Sequence, residues 1–324
     1  MACNKPLTAY KADDGSIYFK AGNILTSGGN GKPFNIPCGQ CIGCRISYSR
    51  DWALRCQHEA HMYSLKKLPS SFLTLTYDEK HCPKDKSLVP NDLTLFFKRL
   101  REYYSRVYNK KDIRYFACGE YGERTYRPHY HMILFGVDFS EDRKRYNPKS
   151  NKYYTSELLN TLWKLGEKNI IAKVNFETSA YVASYIQKKH KGKYWRCKKH
   201  KKPEPCKLPC TKCNNLKEQF VVMSRGSADN RGIGYTWFKK YGQTSDCYLH
   251  DRVIVKTPNI YCKPPRYYDK LLKEDNPELY EKIKTVRAES SEYQKHTNDP
   301  HSRLAIAEKC LELKMKRLKK DLDL

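Results

Sequence analysis

Residues 127–135 read Arg-Pro-His-Tyr-His-Met-Ile-Leu-Phe, which sets His129 and His131 two apart. Side chains alternate along a β-strand, so both imidazoles would project from one face. Two imidazoles on one face can hold a divalent metal and leave coordination positions open. Taken alone, the pattern is better explained by a pair of surface histidines on a half-buried strand. The run at 114–120 (RYFACGE) alters that balance, because it can pair antiparallel with 129–135 across a polar turn containing Gly122 and Pro128. With Glu120 opposite His129 or His131, its carboxylate becomes a third ligand. A one-residue slip would turn Glu120 to the other face and leave Glu123 as the alternative. Two imidazoles and a carboxylate leave room for water and phosphate oxygens on Mg²⁺ or Mn²⁺.

A second arrangement lies in residues 180–189, AYVASYIQKK. On a helix, Tyr181 and Tyr185 share a face, and Lys188 falls three beyond Tyr185, near its hydroxyl. A phenol has a pKa near ~10, and a neighbouring ammonium or metal favours the phenolate that can attack phosphorus. By itself this segment reads as an ordinary aromatic helix face packed in a core.

The chain has 14 cysteines, and several fall into two tight groups. Cys38, Cys41 and Cys44 form C-x₂-C-x₂-C, with Cys3 as the natural fourth thiolate and Cys56 or His58 as alternatives. Cys197, His200, Cys206, Cys210 and Cys213 offer five candidates for four positions, so Cys206 or His200 is spare. Tetrahedral Zn²⁺ suits four such ligands. An iron–sulfur cluster uses similar spacing, and reduced free thiols are the plain alternative. Structural zinc is expected at both groups, stapling segments that have little core of their own. Neither leaves an open position, so neither is expected to be catalytic.

The surrounding chain is strongly basic, with 62 Lys and Arg against 35 Asp and Glu, a net charge of +27. Such a self-repelling chain makes most sense beside a polyanion, and nucleic acid is the usual one. The 26 tyrosines fit that partner, since a phenol ring can stack on bases. A membrane surface is the competing partner. No apolar run approaches the roughly 20 residues that span a bilayer, and residues 1–15 lack the apolar core of a signal peptide. A soluble, intracellular protein that does not engage membranes is therefore expected. Most basic residues at 188–202 and 314–320 read as a solvated face. Arg127 and Lys189 are the expected close DNA contacts.

Several elements must position these groups. Residues 46–66 carry no Gly or Pro and read as a helix; 72–78 (FLTLTYD) alternate and read as a strand. Asn91 or Asp92 can cap a helix whose apolar positions Leu93, Phe96, Phe97 and Leu100 follow helical spacing. Strands are expected at 113–120 and 129–137, a helix at 153–167, a short strand at 171–177 and a helix at 179–190. The composition divides the chain into a Cys-rich knuckle and helix at 1–66, a central domain at 67–270 with a Cys/His-rich insert at about 191–217, and a charged helical tail at 271–324.

The ordered set of His129-Tyr130-His131 and a following helix with Tyr181, Tyr185, Lys188 and Lys189 resembles the HUH endonucleases. FLTLTYD matches that family's upstream strand. Further segments, CGQCIGCR, SRDWALRCQHE, GEYGERTYRPHYHMILFG, MSRGSADNRGIGYTWFKKY and PPRYYDK, are similar to the replication initiators of microviruses, nearest to the gokushovirus branch. The resemblance covers roughly residues 1–270. It implies an α+β fold: an antiparallel sheet of about five strands, the histidines on a central strand, helices on one face and the open face receiving single-stranded DNA. It also implies a nick at a phage origin, a 5′-phosphotyrosine bond and a 3′-hydroxyl that primes rolling-circle replication. Tyr181 and Tyr185 would be alternating nucleophiles, Lys188 would hold the phosphate or lower the tyrosine pKa, and the metal would sit at Glu120, His129 and His131. Such an enzyme would act in the cytoplasm of the bacterial host, with host helicase and polymerase as candidate partners. Two rivals remain: a non-catalytic zinc-dependent nucleic-acid-binding protein, and a relaxase or transposase of the same superfamily.

Overall fold

The computed structural model describes residues 3–19, 33–122, 125, 127–148, 152–175, 178–183, 217, 219–226, 231–242, 253–254, 261–295 and 304–314. The chain divides into two compact units, Met1–Tyr48 with Lys284–Leu324, and Ser49–Ile283. The three-part division expected above was drawn on composition; these units are drawn by contacts, and their borders fall at 48/49 and 283/284.

In the first unit, β1 (Leu7–Lys11), β2 (Ile17–Tyr18) and β3 (Pro33–Ile36) form a small antiparallel sheet in the order β2-β1-β3. Helix α1 (Ile42–Leu65) begins in this unit and continues into the second.

The second unit is built on an antiparallel sheet of seven strands in the order β10-β5-β6-β4-β9-β8-β7. These are β4 (Ser70–Thr76), β5 (Arg114–Tyr121), β6 (Pro128–Phe135), β7 (Lys144–Arg145), β8 (Tyr153–Thr155), β9 (Ile170–Lys173) and β10 (Phe220–Met223). The expected count of about five is thus corrected to seven. The strands β7 and β8 have two and three residues, too few for alternation to register in the sequence.

Even-numbered residues of β6 and odd-numbered residues of β4 form one face. Leu73, Leu75, Tyr130, Met132 and Leu134 pack there against Leu93, Phe96, Phe97 and Leu100 of α2 (Pro90–Tyr108) and Leu159, Leu162 and Trp163 of α3 (Glu157–Trp163). Burying each such side chain stabilises the fold by about 1.5–3 kcal/mol, so Phe96→Ala would open a costly cavity here. On the other face, Phe72, Phe116, Cys118, Ile133 and Phe135 pack against Trp52, Ala53, Cys56 and Tyr63 of α1. Helices therefore cover both faces of the sheet, not one. The α1 contact residues 52, 56 and 63 follow helical spacing, but polar and charged neighbours hide the stripe.

Local signals explain the remaining differences. Residues 153–155 are strand, and the helix starts after Ser156, whose side chain accepts from the Leu159 N–H at 3.0 Å. Helix α2 begins at Pro90, a residue suited to a first helical position. Its N-cap is Val89 with no side-chain cap, so neither Asn91 nor Asp92 plays that part; Asp92 instead accepts from the Tyr77 hydroxyl. Gly136 ends β6 at φ +98°, a conformation costly for any side-chain-bearing residue. Past the sheet, helices run Arg266–Asp275, Pro277–Lys295 and 304–314. No helix among the described residues is long and apolar enough to cross a membrane.

Candidate active site

The β5–β6 register sets Glu120 opposite His129 and Cys118 opposite His131; on the other side, β4 sets Thr74 opposite His131 and Thr76 opposite His129. Directly paired residues share a face, so Glu120, His129, His131 and Thr74 converge there. This is the register in which Glu120 joins the histidines. The competing carboxylate, Glu123, lies outside the described residues.

One oxygen, Oε1 of Glu120, stands 2.7 Å from His129 Nε2 and 3.1 Å from His131 Nε2. The three ligand atoms lie within 4.8 Å of one another. Each ring's other nitrogen is engaged: His129 Nδ1 is 3.1 Å from the Arg127 carbonyl and His131 Nδ1 is 2.9 Å from Thr74 Oγ1. A carbonyl only accepts, so His129 carries a proton on Nδ1, which leaves Nε2 as its ligand atom. Thr74 escaped the sequence reading, although its place in the alternating FLTLTYD run already put it on the side of β4 that meets His131.

Burial opposes ionisation of Glu120, but hydrogen bonds from His129 and His131, with their charges, outweigh it and hold the carboxyl down at about 2. The side chains of Glu120 and His131 are 5% and 6% exposed, against 17% for His129, so the group opens to solvent on the His129 side. The face carrying the site is thus largely roofed, where an open face was expected. A donor set of two imidazole nitrogens and one carboxylate oxygen, with the Nε2 atoms aimed at one oxygen, fits a divalent cation with open positions.

The helix that follows, α4 (residues 178–183), is started by a reciprocal cap. Thr178 N–H donates to Asn175 Oδ1 at 2.7 Å and Asn175 N–H donates to Thr178 Oγ1 at 2.9 Å. Gln57 of α1 donates to the buried Ser179 hydroxyl at 2.9 Å, and Val182 and Ala183 join the core beneath α1. Tyr181 is thereby held edge-on to His131, with ring centroids 5.1 Å apart and planes at 81°, and also touches Phe72. Tyr185, Lys188 and Lys189 lie outside the described residues. Arg127 is tied down locally: it pairs with Glu79 and donates to the carbonyls of Tyr77 and Asp78 at 3.0 and 3.1 Å.

Of the cysteines, Cys3, Cys38, Cys41 and Cys44 come together. The alternative ligands do not join them: Cys56 is buried in the core beside α1, and His58 Nδ1 meets the Tyr268 hydroxyl at 2.8 Å while its ring stacks on Trp237. Cys197, His200, Cys206, Cys210 and Cys213 lie outside the described residues.

Fold and site together define an α+β protein with a carboxylate–imidazole metal-ligating trio on adjacent strands and a tyrosine against it. Residues 70–190, which carry the whole trio and Tyr181, match the family model of the ORF2-type replication-associated proteins. The chain is 29% identical to the replication-associated protein VP4 of Bdellovibrio phage phiMH2K across the full length of both. It is 26% identical to the replication-associated protein ORF2 of Spiroplasma virus 4, over 85% of this chain and 81% of that one. Over 48% of this chain and 39% of the relative, it is 35% identical to the replication-associated protein ORF4 of Chlamydia phage 1. The chain is a homologue of these replication-associated proteins. No solved structure matches it.

Proposed function

We propose that the chain initiates replication of a single-stranded DNA phage as an HUH-type endonuclease, nicking the origin strand with a tyrosine. The observation that carries this reading is Tyr181 held 5.1 Å, ring to ring, from His131 of the Glu120, His129 and His131 trio. Replication-associated relatives and a net charge of +27 favour DNA as the substrate.

Glu120, His129 and His131 would hold a divalent ion, Mn²⁺ or Mg²⁺, the mixed nitrogen and oxygen set suiting Mn²⁺ better. When bound, the ion supplies positive charge to the non-bridging oxygens of the scissile phosphate. The chain's own residues do the rest. The Tyr181 oxygen attacks phosphorus, an O–P bond forms and the bond to the 3′-oxygen breaks. That oxygen takes up a proton and leaves as the 3′-hydroxyl, while the phenol proton passes to solvent. One phosphodiester replaces another, so the same site can run the step backwards and rejoin the strand. Tyr185 would supply a second nucleophile for the rejoining cycle, and Lys188 a cation for the phosphate. Under this reading the chain works in the cytoplasm of a bacterial host, where helicase and polymerase extend the primer. Arg127, with its donors committed to Tyr77 and Asp78, would shape the site entrance more than grip DNA.

The test uses a single-stranded oligonucleotide of the cognate origin, labelled at its 3′ end, because the 5′-phosphate fragment is the one that becomes attached. A denaturation-resistant adduct with Mn²⁺ is expected, lost with chelator and in the Tyr181→Phe, Tyr185→Phe double variant. Wild-type protein that binds the oligonucleotide yet forms no adduct with any divalent ion would leave a non-catalytic DNA-binding protein as the better reading.

A further inference from the structure

We propose that Cys3, Cys38, Cys41 and Cys44 hold one zinc ion as four thiolates, and that this ion serves as the core of the first unit. Two sulfur–sulfur separations are fixed, 3.6 Å between Cys3 and Cys38 and 3.8 Å between Cys3 and Cys41. Zinc–thiolate bonds of ~2.3 Å in a tetrahedron put their sulfurs about 3.8 Å apart, whereas a disulfide would bring two of them to ~2 Å. All four cysteines are free of disulfides.

The backbone around them is organised for anions. Cys41 Sγ accepts from the N–H groups of Asn4 and Cys44, at 3.3 and 3.4 Å, and Cys38 Sγ from those of Gln40 and Cys41, at 3.4 and 3.3 Å. Cys3 Sγ accepts from the Cys38 N–H at 3.3 Å. A neutral thiol is a weak acceptor, so five amides turned onto three sulfurs fit thiolates. Four thiolates this close repel one another unless a cation sits among them. Gly39, at φ +74°, supplies the left-handed turn between Cys38 and Cys41.

The packing explains what the ion is for. The buried cluster of the first unit, among the described residues, consists of these cysteines themselves, with Cys3, Cys41 and Cys44 at 2–9% exposure. Its sheet has two edge strands of two and four residues. Asn4, beside Cys3, accepts from the Gly43 N–H at 3.1 Å and donates to the Leu304 carbonyl at 3.5 Å, and Lys5 lies 3.2 Å from Glu308. A cross-link at Cys3 thereby fixes the loop on which helix 304–314 rests. Loading displaces the thiol protons to solvent and leaves a dianionic centre inside a strongly basic chain.

The experiment measures zinc, iron and acid-labile sulfide in the purified full-length protein, in Cys41→Ser and in Cys310→Ser. Because Cys197 to Cys213 offer further ligands, the reading is a difference: Cys41→Ser is expected to lose one zinc equivalent and Cys310→Ser none. Equal zinc in all three, or loss of iron with sulfide, overturns the proposal. Should Cys41→Ser fail to fold, alkylation of the native wild type decides, comparing the half-buried Cys38 with the exposed Cys310. Cys38 is expected to be protected until chelator is added; equal labelling of the two in the metal-replete protein overturns the assignment. Neither readout involves the DNA adduct, so this proposal and the nicking reading fail separately.

Discussion

The two metal-ligating groups are built by opposite means. Glu120, His129 and His131 stand on neighbouring strands inside a seven-stranded sheet, with backbone ladders on both sides and helices over both faces. Their positions are set by the core before any ion arrives. Cys3, Cys38, Cys41 and Cys44 come from a loop and the start of a helix, and the cluster they form is itself the local core. A trio preorganised by packing can leave positions open for a substrate, while four thiolates close the coordination shell and yield only stability. The contrast teaches that ligand count and what surrounds it, more than the presence of ligands, separates a catalytic centre from a staple.

The largest effect expected from this contrast is in activity. His131→Ala removes a ligand from a sheet that needs no metal to fold, so adduct formation should fall about 10³-fold or more with the unfolding midpoint little changed. Cys41→Ser should do the reverse, leaving the adduct yield of the folded fraction close to wild type while lowering thermal stability. Adduct assays beside thermal melts check both, and equal losses of activity and stability in the two variants would erase the distinction.

A second prediction asks whether the core alone holds the trio's sheet. Arg114 of β5 reaches through the α1 face to Glu59, with Nη1 2.5 Å from Oε1, and Glu59 also accepts from the Gly234 N–H at 2.7 Å. Both side chains are buried, at 8% and 0% exposure. Arg114→Ala strands the Glu59 carboxylate and should cost about 3–5 kcal/mol in urea unfolding. The paired replacement Arg114→Met with Glu59→Leu should recover much of that. If the single variant unfolds like wild type, the pair contributes nothing to the sheet.

A third and smaller effect concerns the hydrogen bond from Thr74 to His131. Thr74→Val keeps the β-branched shape but removes the partner of Nδ1, freeing the ring to change tautomer. Mn²⁺ affinity, measured by calorimetry, should weaken about 10- to 100-fold while the melting temperature holds. An unchanged affinity would mean the strand alone orients the ring.

How much of this was legible depends on the range of the signal. The His129 and His131 face and the Glu120 register followed from alternation in 114–120 and 129–135, because a strand's period is local. Helix α2 was visible in Leu93, Phe96, Phe97 and Leu100 for the same reason, although Pro90 marked its start better than Asn91 or Asp92. What escaped depends on contacts between distant segments. The α1 residues Trp52, Cys56 and Tyr63 are recognisable as a packing stripe only once the sheet's second face needs covering. The strand at Tyr153–Thr155 exists because β9 offers it an edge, and Ser156 was the one local mark that the helix began later. Cys3 could be preferred over Cys56 or His58 only by folding.

The smallest expected effect tests whether the empty trio stabilises the sheet at all. In metal-stripped protein, Glu120 has its carboxyl held from the ordinary 4.5 to about 2, because the hydrogen bonds and charges of His129 and His131 outweigh the burial that would raise it. A carboxyl whose folded pKa is depressed contributes stability that is fully present above about pH 4.5 and lost as pH falls through about 2. Between pH 5 and pH 3 the wild type should therefore lose about 1–2 kcal/mol more in urea unfolding than Glu120→Gln, which cannot ionise. The cysteine group offers no counterpart, since its thiols are already protonated across that window unless zinc holds them. Parallel pH dependence in wild type and Glu120→Gln would mean that the trio, like the thiolates, relies on its ion for any contribution to the fold.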